Sequence, residues 1–142
     1  MRFPVVWPAM LSLSLGLGLA AAAVAEPPAV AQDEIDYLLT TMGASGCEFY
    51  RNGSWHDAKA AEAHIRAKYT MGAARNHIGT AEDFIDQAAT KSSLTGLAYA
   101  VRCGQSPAIS TNSWLHELLA QYRIARTPGA LRAGRSAPNV QP

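Results

Sequence analysis

His64 and Lys68 stand four residues apart in a segment whose apolar positions repeat at helical spacing, so both side chains fall on one stripe of the same helix. An imidazole and an ammonium one turn apart are groups that can receive an anion. Arg51, at the end of a short aromatic-rich run, adds a third cation that would close a small pocket around a carboxylate or phosphate. Ser92, Ser93 and Thr95 gather hydroxyls beside Gly96. That is the chemistry of a capped turn, or of a nest of hydroxyls and backbone amides for an anion. His64 alone has two readings: a structural imidazole bonded to a backbone or hydroxyl partner, or a ligand-binding or general-base group. Lys68 likewise either carries its charge outward along an apolar stem or turns it toward the pocket.

The usual catalytic and metal-binding patterns do not occur. His56, His64, His77 and His116 include no i, i+4 pair and no His-Glu-x-x-His, so zinc has no set of ligands at the spacing it needs. There is no Gly-x-Ser-x-Gly elbow, phosphate loop or Cys-x-x-Cys. Gly43-Ala44-Ser45-Gly46 resembles the elbow only superficially, since it follows a helical pattern rather than a strand. The sequence therefore assigns no catalytic residue, no metal and no cofactor.

Hydrophobic residues make up 49% of the 142, but 18 of them lie within the first 25. That segment opens on Met1-Arg2, runs apolar from Val5 to Val24, and ends in Ala23-Val24-Ala25 before Glu26 and Pro27-Pro28. Small residues at the two positions a signal peptidase reads predict a secretory signal over 1–25, cleaved after Ala25. The alternative is an uncleaved membrane anchor, since about 20 apolar residues can span a bilayer. No cysteine follows the run to take a lipid. Lys+Arg 12 against Asp+Glu 11 leaves no basic footprint for nucleic acid.

An exported chain reaches an oxidising compartment, where Cys47 and Cys103 read as a disulfide; two buried free thiols are the other possibility. Residues 26–31 read as a Pro/Ala linker. Ile35, Leu38, Leu39 and Met42 predict a helix from Gln32, with Asp33, Glu34 and Asp36 in its first turn and Gly43 and Gly46 at its end. Asn52-Gly53 between aromatic-rich arms predicts a two-residue hairpin pairing Arg51 with Ser54, Tyr50 with Trp55 and Phe49 with His56. Asp57 caps a helix over about 58–71, and Thr80 with Asp83 opens another over about 81–90. Leu97 to Cys103 reads as a strand; setting Cys103 opposite Cys47 places Val101 opposite Phe49 and stacks Arg51 on Tyr99. Gly104–Ile109 reads as a loop, and Ser110-Thr111 starts a last helix bearing Trp114, Leu115, Leu118, Leu119 and Tyr122.

Four motifs then occur in order: Phe49-x-Arg51-Asn52-Gly53, His64-Ile65-x-x-Lys68, Thr80-Ala81-Glu82-x-Phe84-Ile85, and Ser92-Ser93-x-Thr95-Gly96-x-x-Tyr99. Over about residues 32–123 the chain resembles the YfeK-like family of small exported bacterial proteins, a domain of unknown function. The resemblance implies a periplasmic location and a compact domain. It implies no activity, substrate or cofactor.

The expectation is an α+β domain over 32–126, with four helices against an antiparallel sheet of about three strands and a Cys47–Cys103 staple, followed by a disordered tail over 127–142. The candidate binding residues are Arg51, Asn52, His64, Lys68, Ser92, Ser93, Thr95 and Tyr99. The functional expectation is a non-catalytic periplasmic or secreted domain whose partner is an envelope protein or a small anionic ligand. It would bind no nucleic acid and keep no membrane span once the signal is removed. The competing reading is a small anion-binding protein or hydrolase-like enzyme using His64, Lys68, Arg51 and the Ser92–Thr95 loop.

Overall fold

The computed structural model describes residues 26–127, so the expected signal segment and the expected tail beyond Thr127 lie outside the described residues. Helix α1 spans Ala29–Ala44 and begins three residues earlier than its apolar pattern suggests, because Pro28 is already fit to precede a first turn and its carbonyl accepts from Gln32 N at 3.0 Å. The early start moves the acidic residues out of the first turn. Glu34 is instead buried, and the stripe of Ile35, Leu38, Leu39 and Met42 lies wholly in the core.

Strands β1 (Glu48–Arg51) and β2 (Ser54–Asp57) form the expected hairpin, with Arg51↔Ser54, Tyr50↔Trp55 and Phe49↔His56 opposite one another. Asn52 and Gly53 adopt φ of 49° and 92°, the paired left-handed geometry for which Asn-Gly is suited. Helix α2 (Ala58–Ala73) follows at once, its first turn capped by Asp57 accepting from Ala60 N at 2.8 Å. Helix α3 (Ala81–Phe84) starts in a complete capping box between Thr80 and Asp83. Where one helix to about residue 90 was expected, the chain widens after one turn into a π-helical segment, Ile85–Ala89, closed by Thr90 Oγ1 donating to Ile85 O at 2.8 Å.

Strand β3 (Ala100–Arg102) pairs antiparallel with β1 through Phe49↔Val101 and Tyr50↔Ala100, the register the cysteine pair implies. It is shorter than Leu97–Cys103, because Ser92 N donates to Leu97 O at 2.9 Å and so folds Leu97 into the preceding turn, where it is exposed. A fourth strand corrects the count of about three: β4 (Ile109–Ser110) pairs with β3, and the sheet order is β2-β1-β3-β4. Two residues beyond a proline loop are too short to show alternation, so no strand signal was legible there. Helix α4 (Thr111–Arg126) completes the chain, capped by Ser110.

Phe49 and Val101 present one face of the sheet to the helices, where Phe84, Ile85, Ile65, Leu115 and Leu119 close the core; Trp114 meets Phe49 edge-on at 5.6 Å between ring centroids. Cys47 and Cys103 are joined, with Cα atoms 4.3 Å apart, one residue beyond the Glu48↔Arg102 rung. Arg123 ties three helices together. It grips the buried Glu34 of α1 with two bonds of 2.7 and 2.8 Å and reaches Glu82 of α3 at 2.5 Å.

Candidate functional site

Arg51 is the last residue of β1, and His64 and Lys68 lie one turn apart on α2, which the hairpin delivers directly against it. The Arg51 guanidinium Nη1 lies 3.4 Å from His64 Nδ1. Arginine has donors only, so Nδ1 takes the acceptor role and the imidazole proton sits on Nε2. Nε2 then donates to the Tyr99 hydroxyl at 3.2 Å. Lys68 Nζ donates to the Lys91 carbonyl at 2.6 Å and approaches the same hydroxyl at 3.5 Å. His64 and Lys68 thus meet on one phenol, that of Tyr99, which is 5% exposed, and Arg51 joins the cluster through His64.

The expected stacking of Arg51 on Tyr99 is corrected in one respect. Arg51 is engaged with the imidazole, and it is the Lys68 ammonium that lies over the Tyr99 ring, 5.1 Å from its centroid.

Burial, then the neighbouring Arg51, Lys68 and His56, push the His64 pKa below the ordinary histidine value, so the ring is neutral at neutral pH. Burial also lowers that of Lys68. Burial raises that of Tyr99, opposed by Arg51 and the Ser92 hydroxyl, and the phenol keeps its proton. No carboxylate of the described residues forms an ion pair with Arg51, His64 or Lys68, whereas Arg102 holds one and Arg66 and Arg123 two each.

The remaining candidates divide by position. Ser92 is buried, and its Oγ accepts from Leu94 N and Thr95 N at 3.3 and 3.2 Å, the work of a turn. Thr95 donates to the Asn52 side chain at 2.7 Å and accepts from Leu97 N, latching the hairpin tip to the loop before β3. Ser93 is exposed and lines a separate groove that Lys68 shares with Arg75 and His77. The structure therefore brings Arg51, His64, Lys68 and Tyr99 together, and it uses Asn52, Ser92 and Thr95 to hold the loops around them.

A cavity of about 20 Å³ lies beside the cluster, bounded by Arg51, His64 and Tyr99 and by the apolar side chains of Met42, Phe49 and Ile65. Thr111 also lines it. Thr111 is 1% exposed, and its Oγ1 has no hydrogen-bond partner among the described residues. Sequence reasoning passed over Thr111 as part of a helix start. The usable signal was the Ser110-Thr111 pair itself: a helix has one N-cap, Ser110 fills it, and the second hydroxyl is left to be accounted for.

Chemically the arrangement is a cluster of cationic and hydroxyl groups beside a small cavity. It offers donors from Arg51, Lys68 and the Tyr99 hydroxyl, and an imidazole that becomes a further donor on protonation. No group of His, Cys, Asp and Glu among the described residues is arranged to hold a metal ion.

A family model described as a family of unknown function, DUF5329, matches residues 29–123. The uncharacterized protein YfeK of Salmonella typhimurium is 49% identical over 51 residues, covering 36% of this chain. The matched part is 41% of that relative's length. The YfeK-like resemblance read from the four motifs is thereby established. No solved structure matches the chain significantly.

Proposed function

Because the chain belongs to the DUF5329 family, whose function is unknown, we propose its role from the site: an exported, non-catalytic domain of the cell envelope that binds a small anionic ligand at Arg51, His64 and Lys68. The carrying observation is that Arg51 meets His64 while His64 and Lys68 both meet the Tyr99 hydroxyl, with no carboxylate of the described residues paired to any of the three. Placing like charges together on folding is unfavourable, and an anion between them removes that repulsion. Catalysis has less support. The one buried serine of the loop is spent on backbone amides, and Tyr99 is held protonated. The apolar run and small-residue site of the first 25 residues support export, as does a disulfide. No helix of the described residues is long and apolar enough to cross a membrane.

The test is calorimetric titration of the protein recovered from the periplasm with acetate and with inorganic phosphate at pH 5.5, for the wild type and Arg51→Met. Wild type is expected to bind at least one anion, and Arg51→Met to weaken it about tenfold or more, the worth of a charge-assisted hydrogen bond. Absence of binding by both anions would remove the proposal. Export is checked separately by N-terminal sequencing, with Glu26 expected as the first residue.

A further inference from the structure

The cavity beside the cationic cluster says more about the ligand than its charge. Its buried lining is Met42, Phe49, Ile65 and Tyr99, its partly exposed side is Arg51, His56 and His64, and Thr111 reaches it from the first turn of α4. Its volume of about 20 Å³ suits one water-sized group. A hydroxyl buried without a partner is unfavourable, and Thr111 Oγ1 is such a hydroxyl. The occupant that suits all three features carries its charge at the partly exposed side and a single small polar atom inside.

These conditions separate the anion classes. Every oxygen of a phosphate shares its charge, and pushing one among Met42, Phe49 and Ile65 would strip it of water without an opposing charge at depth. Acetate can put its methyl among the apolar walls but leaves Thr111 unsatisfied. A hydroxyl on the carbon next to a carboxylate is one heavy atom, uncharged, and able both to donate to and to accept from threonine. We infer that the ligand is a short 2-hydroxy carboxylate, its carboxylate held at Arg51 and His64 and its hydroxyl paired with Thr111. This rests on the anion-binding reading above and adds to it the ligand class and Thr111 as a specificity residue. No covalent step is involved.

The experiment compares dissociation constants of glycolate, acetate and inorganic phosphate for the purified exported protein and for Thr111→Val, which keeps the shape and removes the hydroxyl. Glycolate is expected to bind wild type about five- to tenfold more tightly than acetate, the worth of one neutral hydrogen bond. In Thr111→Val that preference should fall to near unity. Equal affinity of glycolate and acetate for wild type would overturn the hydroxyl assignment while leaving the anion site standing. Phosphate binding more tightly than both would overturn the carboxylate assignment alone. No binding of any of the three would remove the inference together with the function it rests on. The wild-type series decides the matter even if Thr111→Val does not fold.

Discussion

Replacing both cysteines tests how much of this small domain is held by one covalent bond. Cys47 and Cys103 are separated by 56 positions. On the chain-entropy relation, closing a loop of that length removes roughly 14 cal/mol/K from the denatured ensemble, or about 4 kcal/mol at 25 °C. Cys47 is buried, so a Cys47→Ala, Cys103→Ala variant also loses a little core packing, up to about 1 kcal/mol. Set against a net stability of about 5–15 kcal/mol for a typical domain, the loss is a third or more of the total. At about 4–8 °C per kcal/mol for a chain of this size, Tm should drop by about 15–40 °C. Urea unfolding followed by circular dichroism measures it directly. The m-value should rise, because an uncrosslinked denatured chain exposes more surface. Wild type treated with reductant should reproduce most of the change without the packing loss. A loss below about 1 kcal/mol in both experiments would refute the reasoning and leave the β1–β3 pairing held by its other contacts.

Arg123→Met should cost about 2–3 kcal/mol in urea unfolding, since it strands the buried Glu34 carboxylate; adding Glu34→Gln should recover part of that, and strict additivity would show that the two do not act as a pair. Gly43→Ala should change stability by less than about 1 kcal/mol. The new methyl displaces the Glu62 carboxylate from Arg66 and Lys59, but the helix gains from losing glycine. Gly72→Ala should destabilise by about 1–2 kcal/mol, because its methyl would lie 2.7 Å from the buried Ile78 side chain, which cannot swing into solvent. The His64 pKa lies below its unfolded value, so the unfolded chain takes up a proton first. His64's contribution to stability is therefore present above the ordinary histidine pKa and is lost as pH falls from there to the folded value. Tm measured from pH 7.5 to 5 should fall for this reason, less steeply in His64→Gln, and a bound anion should reverse the fall; identical profiles for wild type and variant would disprove the assignment.

The parts of the fold legible in sequence are those with a local chemical cause. Asn52-Gly53 sets the hairpin because its turn needs two positive φ values. Asp57 and Thr80 mark helix starts because orphan amides need acceptors, and the Cys47–Cys103 pair transmits a register to Phe49 and Val101. What escaped has non-local causes. Ile109–Ser110 pairs only with the edge that β3 offers it, and the π turn at Ile85–Ala89 lies where that segment packs against both α2 and α4. The site follows the same division. Helical spacing put His64 and Lys68 together and strand alternation put Arg51 and Tyr99 on the same side. Only tertiary packing brings Thr111 to the cavity and sends Ser93 to another groove.

The sheet order β2-β1-β3-β4 also implies a timetable. The hairpin closes over two residues and can form within microseconds of the chain becoming free to fold. The contacts that complete the cluster wait for a later arrival: Tyr99 comes 35 positions after His64, and the Thr95–Asn52 latch closes across 43. Such distant pairings form slowly. Arg51 and His64 can therefore meet early, and the cluster is complete only when the third strand slots in beside the first. Ligand present at that moment would favour completion of the fold.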